Sequence, residues 1–455
     1  MAEAKGDRLV KSAFALLTST TTGAILGLVF WAVAAHLYNA QDVGYGAAAI
    51  AAMTGLASVA QLNLSVMFPR FLYAAGARAT TVLVAGYGAA ALLAAAVGVA
   101  FLTLTGHHQY IARGTFALLL FLAAVVLWVV FTIEDAALIG LRATFWVPVE
   151  NTSFSVMKIL LLPVFAILVP VSGVFLSWTV PVIACIIPVN YYLFRKVLPA
   201  HVASSAGRGS LPPRRVVGSV LGGEYIGAIA FVALSVVPAL LIVTKLGAVQ
   251  TAYFQTPWLV GTSFDFMLFS IATSLIVESS ARPQDAVRLV PRAVRLACLI
   301  LIPGCIVLLA GAPVILSVLG HGYAEHGAAL LRWLALALPF MGVNVLYLTF
   351  ARMGRRVRRI MAVQVGLSLT ILALTEILIG SLGITGAGIA FFAGQSLMAC
   401  IVLPSVIRQY RRAGMAPGFA PRGALVVRDT EVSGLQEHPF EGTGPHTEES
   451  EGGAP

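Results

Sequence analysis

Charge is scarce in this chain. Of its 455 residues only 11% are Asp, Glu, Lys or Arg, against about a quarter in a soluble domain, while 59% are hydrophobic and mean hydropathy is +0.92. That balance excludes a water-soluble enzyme or carrier. Cysteine is scarce too. Cys185, Cys298, Cys305 and Cys400 all lie in long apolar runs, without CxxC spacing or clustered histidines, so neither a disulfide framework nor a metal site is implied. They read as small buried hydrophobes. HExxH, GxSxG and phosphate-loop patterns are missing, and no cofactor is expected.

What is present is a succession of apolar runs long enough to cross a bilayer as helix, about 20 residues each. Twelve can be placed, at 13–37, 44–67, 80–104, 115–139, 149–169, 172–194, 217–243, 252–277, 294–318, 328–350, 360–380 and 384–407. A helix is the expected form, because backbone polar groups in hydrocarbon must be satisfied internally. The first run is too long for a secretory leader and ends without a small-residue cleavage site. The fold class expected is therefore all-α and integral to the membrane.

The basic residues alternate with these spans. With the amino terminus inside, 25 of the 29 Lys and Arg residues fall in cytoplasmic segments, as the positive-inside rule requires. Only Arg113, Lys245 and Arg332 fall outside, and Lys158 lies within a span. Both termini are expected in the cytoplasm. The net charge of +10 is thereby accounted for by topology, the Arg355–Arg359 cluster suits anionic lipid headgroups, and a nucleic-acid partner loses its support.

A Ser-, Gly- and Pro-containing connection at 195–216 divides the spans six and six. This predicts an N-terminal bundle (1–194), a cytoplasmic linker (195–216), a C-terminal bundle (217–414) and a disordered acidic cytoplasmic tail (415–455) too polar to fold. An even span number per half makes the halves parallel repeats that can rock about a central cavity. A shift of 209 residues superposes Leu37, Gln41 and Tyr45 on Leu246, Gln250 and Phe254. Gly23 with Gly27, Gly218 with Gly222, and Gly223 with Gly227 have the spacing of close helix crossings.

Ionisable groups inside spans are costly and usually face a cavity or a partner. Lys158, about ten residues into its span, is the foremost candidate for holding an anionic substrate group. Asn63, Arg70 and Arg332 complete the expected substrate-binding set. The carboxylates Asp265, Glu376, Glu224, Glu134, Asp135 and Glu278 are candidates for ion coupling or for lining the cavity. For Glu134, Asp135 and Glu278 the simpler expectation is a helix-end carboxylate paired with a loop arginine. Asn190 and Gln61 are expected to bond between helices.

Three stretches, His36–Leu72, Ile133–Pro163 and His321–Arg356, carry patterns of Gly, small and apolar residues. The chain resembles in them the bacterial polysaccharide flippases, the lipid-linked oligosaccharide transporters of the multidrug/oligosaccharidyl-lipid/polysaccharide exporter superfamily. The resemblance implies a MATE- or flippase-like, V-shaped pair of six-helix bundles that opens alternately to each side. It implies a multi-pass protein of the bacterial plasma membrane that carries an undecaprenyl-pyrophosphate-linked glycan outward, with cavity cations on the pyrophosphate. The expected function is thus export for surface polysaccharide or lipopolysaccharide biosynthesis, with glycan-assembly proteins as candidate partners. The alternative is a cation-coupled multidrug antiporter of the same fold. A membrane glycan polymerase or ligase is disfavoured because the longest outer loop, 105–114, leaves no room for an active site.

Overall fold

The computed structural model describes residues 23, 25–104, 115–205, 209, 225–281, 286–354 and 356–415. They form α1 (Ile25–Leu37), α2 (Ala40–Ala60), α3 (Leu64–Phe71), α4 (Ala79–Leu104), α5 (Thr115–Gly140), α6 (Trp146–Leu168) and α7 (Gly173–Tyr192). A π-helical turn, Leu193–Val197, leads into α8 (Leu198–Ser204). After it come α9 (Tyr225–Lys245), α10 (Ala248–Ala281), α11 (Ala286–Ser317), α12 (His321–Met353), α13 (Val357–Leu382) and α14 (Ile384–Met415). Among the described residues there is no strand, and 11 helical segments are long and apolar enough to span a bilayer, with Ile25–Leu37 a shorter apolar helix.

The chain is a multi-pass membrane protein. Leu92, Phe116 and Ile167 are 75%, 80% and 83% exposed, which water would penalise and lipid does not. Arg70 of α3, Arg142 after α5 and Arg352 in the last turn of α12 mark one end of the bundle, and Lys245 and Arg332 lie toward the other. These are called the arginine-rich and arginine-poor ends.

Packing follows from where the small residues fall. Helices α2 and α4 to α7 pack among themselves, as do α9 to α14, and α2 packs against both α9 and α10. The sequence of α2, AQDVGYGAAAIAAMTGLASVA, has few side chains that hold a neighbour away, so backbones approach closely. A Cβ on Gly44 would lie 1.7 Å from the Ala248 carbonyl oxygen, and one on Gly55 would lie 2.7 Å from Val236. The helix starts on a reciprocal cap: Asn39 accepts from the Asp42 amide at 2.8 Å and donates to the Asp42 carboxylate at 2.7 Å.

Two expectations about this region are corrected. The second span is broken: Leu62 and Asn63 take left-handed φ values of 52° and 56°, ending α2 before α3 begins. One turn before the break, the Val59 carbonyl accepts the Tyr225 hydroxyl from α9, tying the two groups of helices together. Nor does the expected crossing at Gly23 and Gly27 meet a neighbour among the described residues, where a Cβ at either would find nothing within 4 Å. The other two expected crossings, linker residues 206–208 and 210–216, and residues 416–455 of the tail lie outside the described residues.

Candidate functional site

Lys158 sits on the fourth turn of α6, 4% exposed. One helical turn earlier is Phe154, placed on the same face by the four-residue spacing. Facing it from α7 is Trp178, and from α1 Phe30. The ammonium lies 3.8 Å from the Trp178 ring centroid, 4.9 Å from that of Phe154 and 5.4 Å from that of Phe30. The rings are locked edge to face, Phe30 on Trp178 at 5.1 Å and Phe154 on Trp178 at 5.8 Å, with Trp128 and Phe131 behind. Among the described residues no carboxylate pairs with Lys158.

Magnitudes decide how to read this cage. A desolvated cation–π contact is worth about 2 kcal/mol, while an isolated ammonium in a low-dielectric interior loses several kcal/mol of hydration or more. Aromatic faces offset part of that loss and leave the charge able to attract an anion. Lys158 is therefore poorly explained as a stabilising residue.

Nearer the arginine-rich end, two turns before Lys158 on α6, the same half holds the opposite charge. Glu134 of α5 is fully buried and Glu150 of α6 is 3% exposed, and neither carboxyl oxygen of Glu150 has a hydrogen-bond partner. The Asn190 amide of α7 donates to Glu134, and the Asn151 amide donates to Asp135 at 2.8 Å. The expectation that Glu134 and Asp135 pair with a loop arginine is corrected: their partners are amides. Glu150 and Tyr87 were not singled out from the sequence. Glu150 stands at the edge of its apolar run, where a carboxylate reads as interfacial, and a tyrosine at position 87 has no distinguishing pattern.

The remaining candidates do not converge on Lys158. Arg70 is exposed on α3, and Arg332 is exposed on α12, donating to the Leu309 carbonyl at 3.3 Å. Asn63 is buried at the helix break and engaged in a contact of its own. Glu376 is half-exposed and ion-paired with Lys245, whose ammonium also reaches the Glu376 carbonyl at 3.2 Å, so it is not a cavity carboxylate. Asp265 on α10 is half-buried, without a hydrogen-bond or ion-pair partner among the described residues. Glu224 and the side chain of Glu278 lie outside the described residues.

No protein-family model and no curated protein matches the chain. Solved structures do. A multidrug resistance MATE family transporter of the MOP superfamily, in its inward-facing conformation, is 14% identical with a TM-score of 0.63, covering 88% of this chain and 98% of that one. Lipid II flippase MurJ, in an inward closed conformation, is 12% identical with a TM-score of 0.66, over 89% of this chain and 90% of that one. A MOP superfamily transporter from Pyrococcus furiosus is 14% identical with a TM-score of 0.57, over 89% and 97%. The chain has the MOP-superfamily transporter fold. Lys158, Glu134 and Glu150 all lie in the group of helices α2 and α4 to α7.

Proposed function

We propose that the chain flips a lipid-linked oligosaccharide, carried on undecaprenyl pyrophosphate, from the inner to the outer leaflet of the bacterial plasma membrane by alternating access. The MOP fold is shared by a drug exporter and a lipid flippase, so it does not choose between them. The observation that carries the choice is Lys158. A cationic drug would be repelled by a buried ammonium without a counter-ion, whereas a pyrophosphate supplies the anion that the aromatic cage lacks. The cage is closed over Lys158, so binding requires at least one of its rings, Phe30, Phe154 or Trp178, to move aside. Surface polysaccharide assembly is the process this activity would serve.

The second reading is a cation-coupled multidrug antiporter, and Asp265 favours it, being half-buried and without an ion-pair partner among the described residues. Binding separates the two. Purified protein titrated with undecaprenyl pyrophosphate is expected to bind saturably, with affinity lowered at least about tenfold, or about 1.4 kcal/mol, in Lys158→Met and unchanged in Asp265→Asn. Equal binding to wild type and Lys158→Met would remove Lys158 from the substrate site. Saturable binding of a lipophilic cation, lost in Asp265→Asn, would favour the antiporter.

A further inference from the structure

Helices α10 and α11 both pack along α12 but meet each other much less, and a groove is left between them. Its cavity is about 250 Å³. Ala272 of α10, Ala293 and Ala297 of α11, and Pro339, Gly342 and Leu346 of α12 line it, and the alanines leave the space that larger side chains would fill. The lining side chains offer a ligand almost nothing polar. The one hydroxyl, on Thr349, donates to the Val345 carbonyl of its own helix at 2.8 Å, and apart from it only the Cys298 thiol departs from hydrocarbon. Water finds no partners in such a space, and the walls of an empty one forfeit their contacts. The fitting occupant is a hydrocarbon.

Dimensions narrow the choice. From Ala293 to Ile302 the groove follows α11 for about 14 Å, about half of the roughly 30 Å hydrocarbon core, and it starts at the arginine-rich end. A volume of about 250 Å³ spread over about 14 Å leaves a mean section of about 18 Å². That admits one extended acyl chain and is too narrow for two, or for a methyl-branched polyprenyl chain. The groove is one leaflet deep and one chain wide.

Its edge on α11 is open. Cys298 and Ile302 are exposed, and Leu299 and Ile306 beside them are 68% and 60% exposed, so a chain can enter sideways from the bilayer. Residues three and seven apart share a helix face, which puts Arg295 in line with Cys298 and Ile302. Its Cβ tilts toward the amino-terminal end of α11, where Arg292 stands one turn farther on. Both arginines are exposed, and among the described residues neither has an ion-pair or hydrogen-bond partner. An apolar slot one chain wide thus ends at two uncommitted guanidinium groups.

We propose that this groove binds one anionic phospholipid of the bilayer, an acyl chain lying between α10 and α11 and the phosphate resting on Arg292 and Arg295. The site lies among α9 to α14, whereas Lys158 is on α6, so it stands whether or not the function proposed above does.

Photolabelling of the full-length protein in phosphatidylcholine vesicles tests this, with trace phosphatidylglycerol or phosphatidylcholine carrying a diazirine in mid-chain. The phosphatidylglycerol probe is expected to label the facing segments of α10, α11 and α12 saturably, about tenfold more than the phosphatidylcholine probe at equal mole fraction. Joint replacement Arg292→Gln and Arg295→Gln should bring the two probes level. Ala297→Phe fills the groove and should abolish labelling there by both; Cys298→Phe, at the exposed edge, serves if Ala297→Phe misfolds. Equal labelling of wild type by the two probes overturns the proposal, as does groove labelling that persists in a correctly folded filled variant. Stronger displacement of the label by undecaprenyl phosphate than by unlabelled phosphatidylglycerol would assign the groove to a polyprenyl chain. A Cys298–Cys298 disulfide between chains that blocks labelling would assign it to a second copy, and either result also overturns the phospholipid site.

Discussion

Replacing Lys158 with methionine is expected to abolish export of surface polysaccharide while leaving the protein folded and abundant. Methionine has nearly the length of lysine and packs well against aromatic rings, so the cage of Phe30, Phe154 and Trp178 remains filled. Removing a buried charge that has no ion-pair partner is neutral or stabilising, which makes a thermal midpoint at or above wild type part of the same expectation. Function should respond in the opposite direction. A charge-assisted contact to a phosphate is worth about 1.5–3 kcal/mol, about a tenfold to hundredfold loss. Lys158→Arg keeps the charge but brings a broad planar head into a cage with the Trp178 ring 3.8 Å away, and should recover only part of the activity. Wild-type surface glycan in Lys158→Met, at normal protein abundance, would show that Lys158 does not hold substrate.

Gly44→Leu is expected to cause the largest loss of stability of any single substitution considered. The Cβ alone would lie 1.7 Å from the Ala248 carbonyl oxygen, a backbone atom that no rotamer change can move. Accommodation requires α2 and α10 to separate by more than an ångström, against an overpacking penalty of about 1–3 kcal/mol or more. Since α2 packs along α9 and α10, the damage falls on the contact between the two groups of helices. Gly55→Ala meets Val236, a side chain with some room to turn, and should cost less. Gly88→Ala meets nothing within 4 Å and should be neutral or slightly stabilising through helix propensity, by up to about 1 kcal/mol. The order of thermal midpoints in detergent, Gly88→Ala highest, then Gly55→Ala, then Gly44→Leu, checks this. A wild-type midpoint for Gly44→Leu would contradict the packing described.

Much of the fold was legible because a bilayer imposes one requirement on every span. The run at 115–139 became Thr115–Gly140, and that at 149–169 became Trp146–Leu168. Helices that overrun their apolar cores were harder to read. Helix α10 has 34 residues, about 51 Å of helix against a hydrocarbon core of about 30 Å, and hydropathy records only the part in lipid. The break after Ala60 was invisible because Leu62 and Asn63 carry left-handed φ values without a glycine or proline to announce them.

The site was half legible for a similar reason. Lys158 stands out as the only lysine inside an apolar run, but its cage needed α1 and α7 to be placed beside α6. Counting along the chain put Glu376 deep in its span; only the packing of α13 against α9 brings it to Lys245. Glu134 and Glu150 come from different helices, and nothing in their spacing reveals that both are buried.

The central claim is that a lipid-linked glycan crosses the membrane through this protein. Its most direct test is reconstitution of the purified chain into vesicles loaded with an undecaprenyl-pyrophosphate oligosaccharide, followed by the rate at which the glycan becomes accessible to an enzyme on the opposite side. Protein-dependent exposure that disappears in Lys158→Met is the predicted result. No exposure with wild-type protein, in vesicles that instead expel a lipophilic cation, would contradict it.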